Sequence, residues 1–97
     1  MQYTVSFTPE AEKDFETILN YIQINFGKDS ANRFKKLVWN FTSLMEGFPE
    51  VGSMEIRDKN IRGFVIHRRL KVFYRIKGGS VIVLKLFDTR QHPNKKL

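Results

Sequence analysis

Apolar and polar residues alternate from Tyr3 to Phe7, with Tyr3, Val5 and Phe7 on one side and Thr4 and Ser6 on the other. This is the period-two pattern of a strand with one buried face. The period then changes to that of a helix. Thr8 is placed as the N-cap and Pro9 suits the first helical position, where an N–H would lack a partner, while Glu10 and Glu12 sit at the positive end of the helix dipole. Ala11, Phe15, Ile18, Leu19, Ile22 and Phe26 fall on one stripe, which Gly27 ends. Asp29 or Ser30 is positioned to cap a second helix, whose stripe is Ala31, Phe34, Leu37, Val38, Phe41, Leu44 and Met45 and which stops near Gly47. The pair predicts a helical hairpin. At about 100° per residue, Trp39 falls almost opposite the second stripe and Ile24 almost opposite the first. Both therefore stand outside a simple two-helix packing.

From Phe48-Pro49 to Asn60 the pattern dissolves into Pro, Gly, Asp and Asn, which predicts a loop. Strand signals resume at Phe64-Val65-Ile66, Leu70 to Ile76 and Val81 to Phe87. The last hairpin has two candidate registers. A loop of Gly78-Gly79 alone sets Arg75 opposite Ile82, whereas a loop of Gly78-Gly79-Ser80 sets Ile76 opposite Ile82, Tyr74 opposite Leu84 and Val72 opposite Leu86. The second keeps apolar faces together and is the expectation. It assigns Lys71, Phe73, Arg75, Lys77, Val81, Val83, Lys85 and Phe87 to the other face. The predicted architecture is α+β: an N-terminal strand, a two-helix hairpin, then a three-stranded antiparallel run forming one sheet with the helices on one face.

A chain of 97 residues, 41% hydrophobic with nine phenylalanines, is long enough for one core and reads as a single domain over residues 1–97. The absence of cysteine removes disulfides, thiolate metal sites and a cysteine nucleophile, and two histidines do not supply a histidine-rich metal cluster. No cofactor or metal is expected. No segment approaches the roughly 18 apolar residues of a membrane span, and the N-terminus lacks a basic stretch followed by an apolar run. A soluble cytoplasmic protein without membrane association is the expectation.

Charge is distributed unevenly. Residues 57–97 hold twelve lysines and arginines against Asp58 and Asp88, whereas residues 1–56 hold five bases and eight acids, within a net charge of +7. A positive sheet and tail point to a polyanion or an acidic protein as partner. The basic set comprises Arg57, Lys59 and Arg62 around the loop, His67, Arg68, Arg69, Lys71 and Arg75 on the sheet, and Arg90, His92, Lys95 and Lys96 in the tail. Such groups grip phosphates, stabilise the charge of a developing phosphorane, or pair with carboxylates. Gly78-Gly79 lacks the helix and lysine of a phosphate loop and reads as a turn. His67 and His92 have no acidic partner at a suggestive spacing. Trp39 has two readings, a core residue under the loop or sheet, or an anchor for a binding partner.

Five stretches carry a resemblance across nearly the whole chain: Tyr3 to Asp14, Phe48-Pro49-Glu50-Val51-Gly52, Arg62-Gly63-Phe64-Val65-Ile66, Val72-Phe73-Tyr74-Arg75-Ile76, and Leu86-Phe87-Asp88-Thr89-Arg90-Gln91-His92-Pro93. In these the sequence resembles the RelE/ParE superfamily of toxins from bacterial type II toxin–antitoxin systems. The resemblance implies the same fold, a cognate antitoxin protein that wraps and silences the toxin, and a toxin–antitoxin hetero-oligomer. Within the RelE-like branch, ribosome-dependent cleavage of messenger RNA would fall to Lys71 and Arg90 as catalytic residues. That branch also uses a C-terminal tyrosine or histidine; no tyrosine follows Tyr74 here, Lys96 lies near the expected place, and His92 is the substitute. The Thr89-Arg90-Gln91-His92-Pro93 ending is more similar to the ParE-like branch and its plasmid-stabilisation relatives, known for inhibiting DNA gyrase. The expectation is a ParE-like toxin directed at gyrase, with mRNA cleavage on the ribosome, or a non-catalytic partner-binding module, as alternatives. Arg57, Lys59, Arg62, Arg75 and His92 form its expected target-binding basic face, and Ile24 and Trp39 its expected antitoxin contacts.

Overall fold

The computed structural model describes residues 2–88. Strand β1 (Thr4–Phe7) leads into helices α1 (Pro9–Phe26) and α2 (Lys28–Gly47), followed by strands β2 (Ser53–Ile56), β3 (Ile61–His67), β4 (Leu70–Lys77) and β5 (Ser80–Asp88). The strands form one sheet in the order β1-β5-β4-β3-β2, with β1 parallel to β5 and the other neighbours antiparallel. This is the expected α+β arrangement with one more strand. Alternate residues Leu70, Val72 and Tyr74 of β4, with Val81, Val83 and Leu86 of β5, meet Ala11, Ile18 and Ile22 of α1 and Phe34, Val38, Phe41 and Met45 of α2 in a single core.

The helices follow their caps. Thr8 Oγ1 accepts from Ala11 N at 3.1 Å, and Gly27, at φ 93°, ends α1 in a conformation that costs an L side chain strain. Gly27 also serves as the N-cap of α2, which begins at Lys28; neither Asp29 nor Ser30 caps it. The hairpin is therefore tighter than the capping pattern predicts. Phe26, placed on the buried stripe by periodicity, stands exposed at its tip with its ring edge-on to Tyr21, because the turn at Gly27 leaves no element to cover it.

The β4–β5 register differs from expectation near the turn. The loop is Gly78-Gly79 alone, so Lys77 pairs with Ser80, Ile76 with Val81, Arg75 with Ile82 and Tyr74 with Val83. A bulge then leaves Leu84 without a partner, and the expected phase returns at Phe73 with Lys85 and Val72 with Leu86. Val81 and Val83 consequently lie in the core rather than on the outer face. Side chains from the start of α1 satisfy the bulge. Thr8 Oγ1 donates to Leu84 O at 3.4 Å, and Leu86 N donates to Asp14 Oδ2 at 3.1 Å.

The stretch read as a loop contains a 3-10 turn at Pro49–Val51, the edge strand β2, and a second 3-10 turn at Arg57–Lys59. Strand β2 escapes a pattern search because it is four residues long and irregularly paired, with a register shift between Met54 and Ile56. Tyr74 anchors this segment from the core. Its fully buried hydroxyl donates to Pro49 O at 2.6 Å and accepts from Gly52 N at 3.0 Å. Arg62 clamps the same turn, donating to Glu50 O at 3.2 Å and Gly52 O at 2.9 Å. Burial pushes the Tyr74 phenol above its ordinary value, while the Gly52 hydrogen bond and the Arg62 charge pull the other way.

Three outcomes follow for stability, each read by chemical denaturation. Asp14→Ala leaves a bulge N–H unmatched and should cost about 1–3 kcal/mol, whereas Glu10→Ala removes only a 3.5 Å pair from a side chain 67% exposed and should cost under about 1 kcal/mol. Gly52→Ala would bring a methyl within 2.5 Å of the Tyr74 hydroxyl and 2.8 Å of Gly63 O, and should cost about 2 kcal/mol or more. Because the Tyr74 pKa is raised on folding, its contribution is complete below the unfolded value of 10.0 and is lost as pH climbs through the folded one. Stability should therefore fall more steeply above pH 10 in the natural protein than in Tyr74→Phe, and equal alkaline slopes would refute this role.

Candidate functional site

On the sheet face turned away from the helices, Lys71 is held by a carboxylate and an aromatic ring. Its ammonium lies 3.3 Å from Glu55 Oε2 and 5.1 Å above the Phe73 ring, and Glu55 also accepts from Ser53 Oγ at 3.3 Å. Gly63 makes room for this arrangement: a methyl there would come within 2.9 Å of Glu55 Cγ and of Lys71 Cε. The pair is about one-third exposed on each side, so solvent weakens but does not dissolve it. Phe87 stands opposite Lys71 and Val65 flanks it on β3, so one cation sits among apolar neighbours.

The other expected basic residues are not gathered around Lys71. Arg57 and Lys59 occupy the exposed second 3-10 turn, held against the far end of β4 by Asn60, whose Nδ2 donates to Ile76 O at 3.0 Å. Asn60 takes the left-handed conformation, at φ 55°. Arg75 and Lys77 lie at that end too, and Lys77 is roughly 20 Å along the strand from Lys71. Arg62 is occupied by the carbonyls of the Pro49–Val51 turn and Gly52. Lys85, assigned by sequence to the basic face, turns its ammonium to Glu10 at 3.5 Å and Asp14 at 3.7 Å. Arg90 and His92, with Lys95 and Lys96, lie outside the described residues. The sheet thus presents one positive area, the Arg57, Lys59, Arg75 and Lys77 end, apart from Lys71, which is paired with Glu55.

Trp39 and Ile24 are 72% and 73% exposed, which removes Trp39 from the core. They do not share a site. Trp39 forms one wall of a groove of about 970 Å³ between β1 and the two helices, with Val5, Phe7, Phe15 and Val38 as further apolar lining, whereas Ile24 lies beyond it toward the hairpin tip. Strand β1 is an edge strand, and since Thr4 N donates to Gly79 O in the turn before β5 and Thr8 N to Val83 O of β5, the backbone N–H groups of Val5 and Phe7 face the opposite way. The polar lining includes Glu12, Glu16 and Glu46 against Lys35. An acidic, apolar groove therefore sits on a basic protein.

Chemically, the outer sheet face suits binding of anionic or mixed surfaces, and the groove suits an apolar segment with basic flanks. Three of the residues that shape these sites carried no signal in the sequence. Glu55 is an isolated acid in an irregular stretch, Gly63 falls just before the strand signal that begins at Phe64, and Tyr74 looks like any core aromatic. The off-stripe position of Trp39 was the one legible clue to the groove.

The family model for the ParE toxin of the type II toxin–antitoxin system parDE matches residues 5–93. Among solved structures, the chain is similar to a chromosomal ParDE system protein from P. aeruginosa, at 15% identity and TM-score 0.74 over 89% of this chain and 95% of that one. It is similar to a chain of the RelBE2 toxin–antitoxin complex from Mycobacterium tuberculosis, at 22% identity and TM-score 0.65 over 91% and 99%. A third likeness is to the E. coli DinJ–YafQ complex, at 13% identity and TM-score 0.56 over 95% and 98%. No curated protein matches in sequence. None of the described helices is long and apolar enough to cross a membrane. With the family model matching residues 5–93 and a fold similar to that of the ParDE system protein, the chain belongs to the ParE toxin family of type II toxin–antitoxin systems.

Proposed function

We propose that this toxin arrests growth in the cytoplasm by inhibiting DNA gyrase, contacting its target through the basic sheet face, and that its antitoxin is seated in the Trp39 groove. The observation that carries the choice of target is the state of Lys71 and Tyr74. RNA cleavage through the 2′-hydroxyl needs groups that move protons and a free cation at the phosphate. Lys71, the strand cation at that position, is tied to Glu55 and the Phe73 ring. No tyrosine follows Tyr74, which is itself buried in the Pro49–Gly52 clamp, so the C-terminal tyrosine of the RNA-cutting branch has no counterpart and only His92 could stand in for it. These favour a surface that docks over one that cuts. Arg57, Lys59 and Arg75 are the cations the reading assigns to target contact.

The antitoxin assignment rests on separate features. A large exposed indole at the wall of a groove is the kind of anchor that dominates interfaces, and the open β1 edge offers backbone pairing to an extended segment. The solved relatives from M. tuberculosis and E. coli are toxin–antitoxin complexes, which supports such a partner here.

Expression without the antitoxin tests the target directly. Growth arrest with blocked plasmid supercoiling and intact transcripts is expected, and arrest with cleaved messages and normal supercoiling would transfer the function to RNA. Trp39→Glu should leave thermal stability nearly unchanged, because the side chain is exposed, yet weaken antitoxin binding about 30-fold, the effect of losing an interface anchor. An unchanged affinity in calorimetry would move the antitoxin to another surface.

A further inference from the structure

One recess outside these surfaces collects basic side chains from two elements. It lies between α2 and the turn joining β3 to β4, encloses about 310 Å³, and has the buried Phe34 and Leu70 as its floor. Arg33 and Lys36 line it from neighbouring turns of α2, and His67 from the end of β3. Ser30 and Asn40 extend the polar lining along the same helix. None of the described residues lining it is acidic. Arg33 uses one guanidinium nitrogen to donate to Ser30 Oγ at 3.0 Å, a bond that limits its swing while leaving further N–H donors unspent. Arg68 follows His67 in the turn and adds to the local positive potential.

We propose that this recess binds the phosphate group of an organic phosphate ester. Donors come from two sides of the recess, which suits the tetrahedral oxygens of a phosphate better than the two coplanar oxygens of a carboxylate. The volume is at the small end for ligand pockets, about 300 Å³. It leaves space beside the phosphate for an organic body against Phe34, Leu37 and Leu70. The ester has two sources of the same chemistry, a free nucleotide-sized phosphate or a phosphate within a nucleic-acid strand. The site is on the helix side of the sheet, apart from both the Lys71 face and the Trp39 groove, and does not depend on the identity of the toxin's target.

The test is an amide-resolved NMR titration of the purified protein with inorganic phosphate, adenosine monophosphate, an oligonucleotide without terminal phosphates, and succinate. Adenosine monophosphate should saturate shifts at Lys36, His67 and Leu70, more tightly than inorganic phosphate, while succinate stays weak. Saturation of those amides by the oligonucleotide alone assigns the phosphate to a strand and keeps the recess. Arg33→Gln and Lys36→Gln should each weaken the response about tenfold, the effect of losing one charge-assisted contact. Lys35→Gln removes the same charge from the adjacent position, which lines the Trp39 groove instead, and should change little. Unsaturable shifts with every anion, succinate binding as tightly as the phosphates, or equal losses from Lys35→Gln and Lys36→Gln would overturn the proposal.

Discussion

The bulge at Leu84 decides which side chains this protein buries and which it displays. From a two-residue Gly78-Gly79 turn, regular pairing along β5 would carry Lys85 inward opposite Val72 and turn Leu86 out. One extra residue reverses that phase, so that Val81, Val83 and Leu86 all reach the core while Lys85 and Phe87 do not. The bulge is held from the start of α1, by Thr8 at the Leu84 carbonyl and Asp14 at the Leu86 amide. A helix N-terminus and a sheet register are thereby fixed together. Strand β5 is also the neighbour of both β1 and β4, so the groove on one side and the basic face on the other inherit their geometry from this one irregularity.

This also explains where the sequence was legible. Thr8-Pro9-Glu10 and the stripes after it specify α1 and most of α2 through local chemistry, and Trp39 could be placed outside the packing by angle alone. The run Val81-Ile82-Val83-Leu84 is apolar throughout and has no parity of its own. The run itself admits either register although the two-residue turn sets Arg75 against Ile82, and Asp14, which is 72 residues away from Leu86 in the chain, holds the observed one. The edge strand β2 leaves no sequence signal for a related reason: its pairing depends on Tyr74 and Arg62 holding the preceding turn, not on a pattern within Ser53–Ile56.

Side-chain placement changes the meaning of the charge. Counting residues suggested a continuous positive sheet, yet Lys71 is paired with Glu55, Lys85 with Glu10 and Asp14, and Arg62 with backbone carbonyls. Lys71 and Lys85 each have a carboxylate a few ångströms away that reduces their field at a distance, whereas Arg62 spends its donors on neutral carbonyls and keeps its charge in the turn. Among the described residues of the sheet, cations without a carboxylate beside them gather at the Arg57, Lys59, Arg75 and Lys77 end.

The opposite signs of groove and sheet have a consequence for selectivity. A partner that carries basic residues beside its apolar anchors is attracted to Glu12, Glu16 and Glu46 and repelled by the Arg57 end of the sheet, whereas an acidic partner experiences the reverse. Like-charge juxtaposition discriminates more sharply than added attraction strengthens, since it penalises every misplaced approach. A protein with a net charge of +7 can in this way receive two chemically different partners on two surfaces without their exchanging places. The separation is structural: the acids that create it sit on α1 and at the end of α2, and β1, the strand between groove and sheet, is held in place by the same α1 terminus that fixes the bulge.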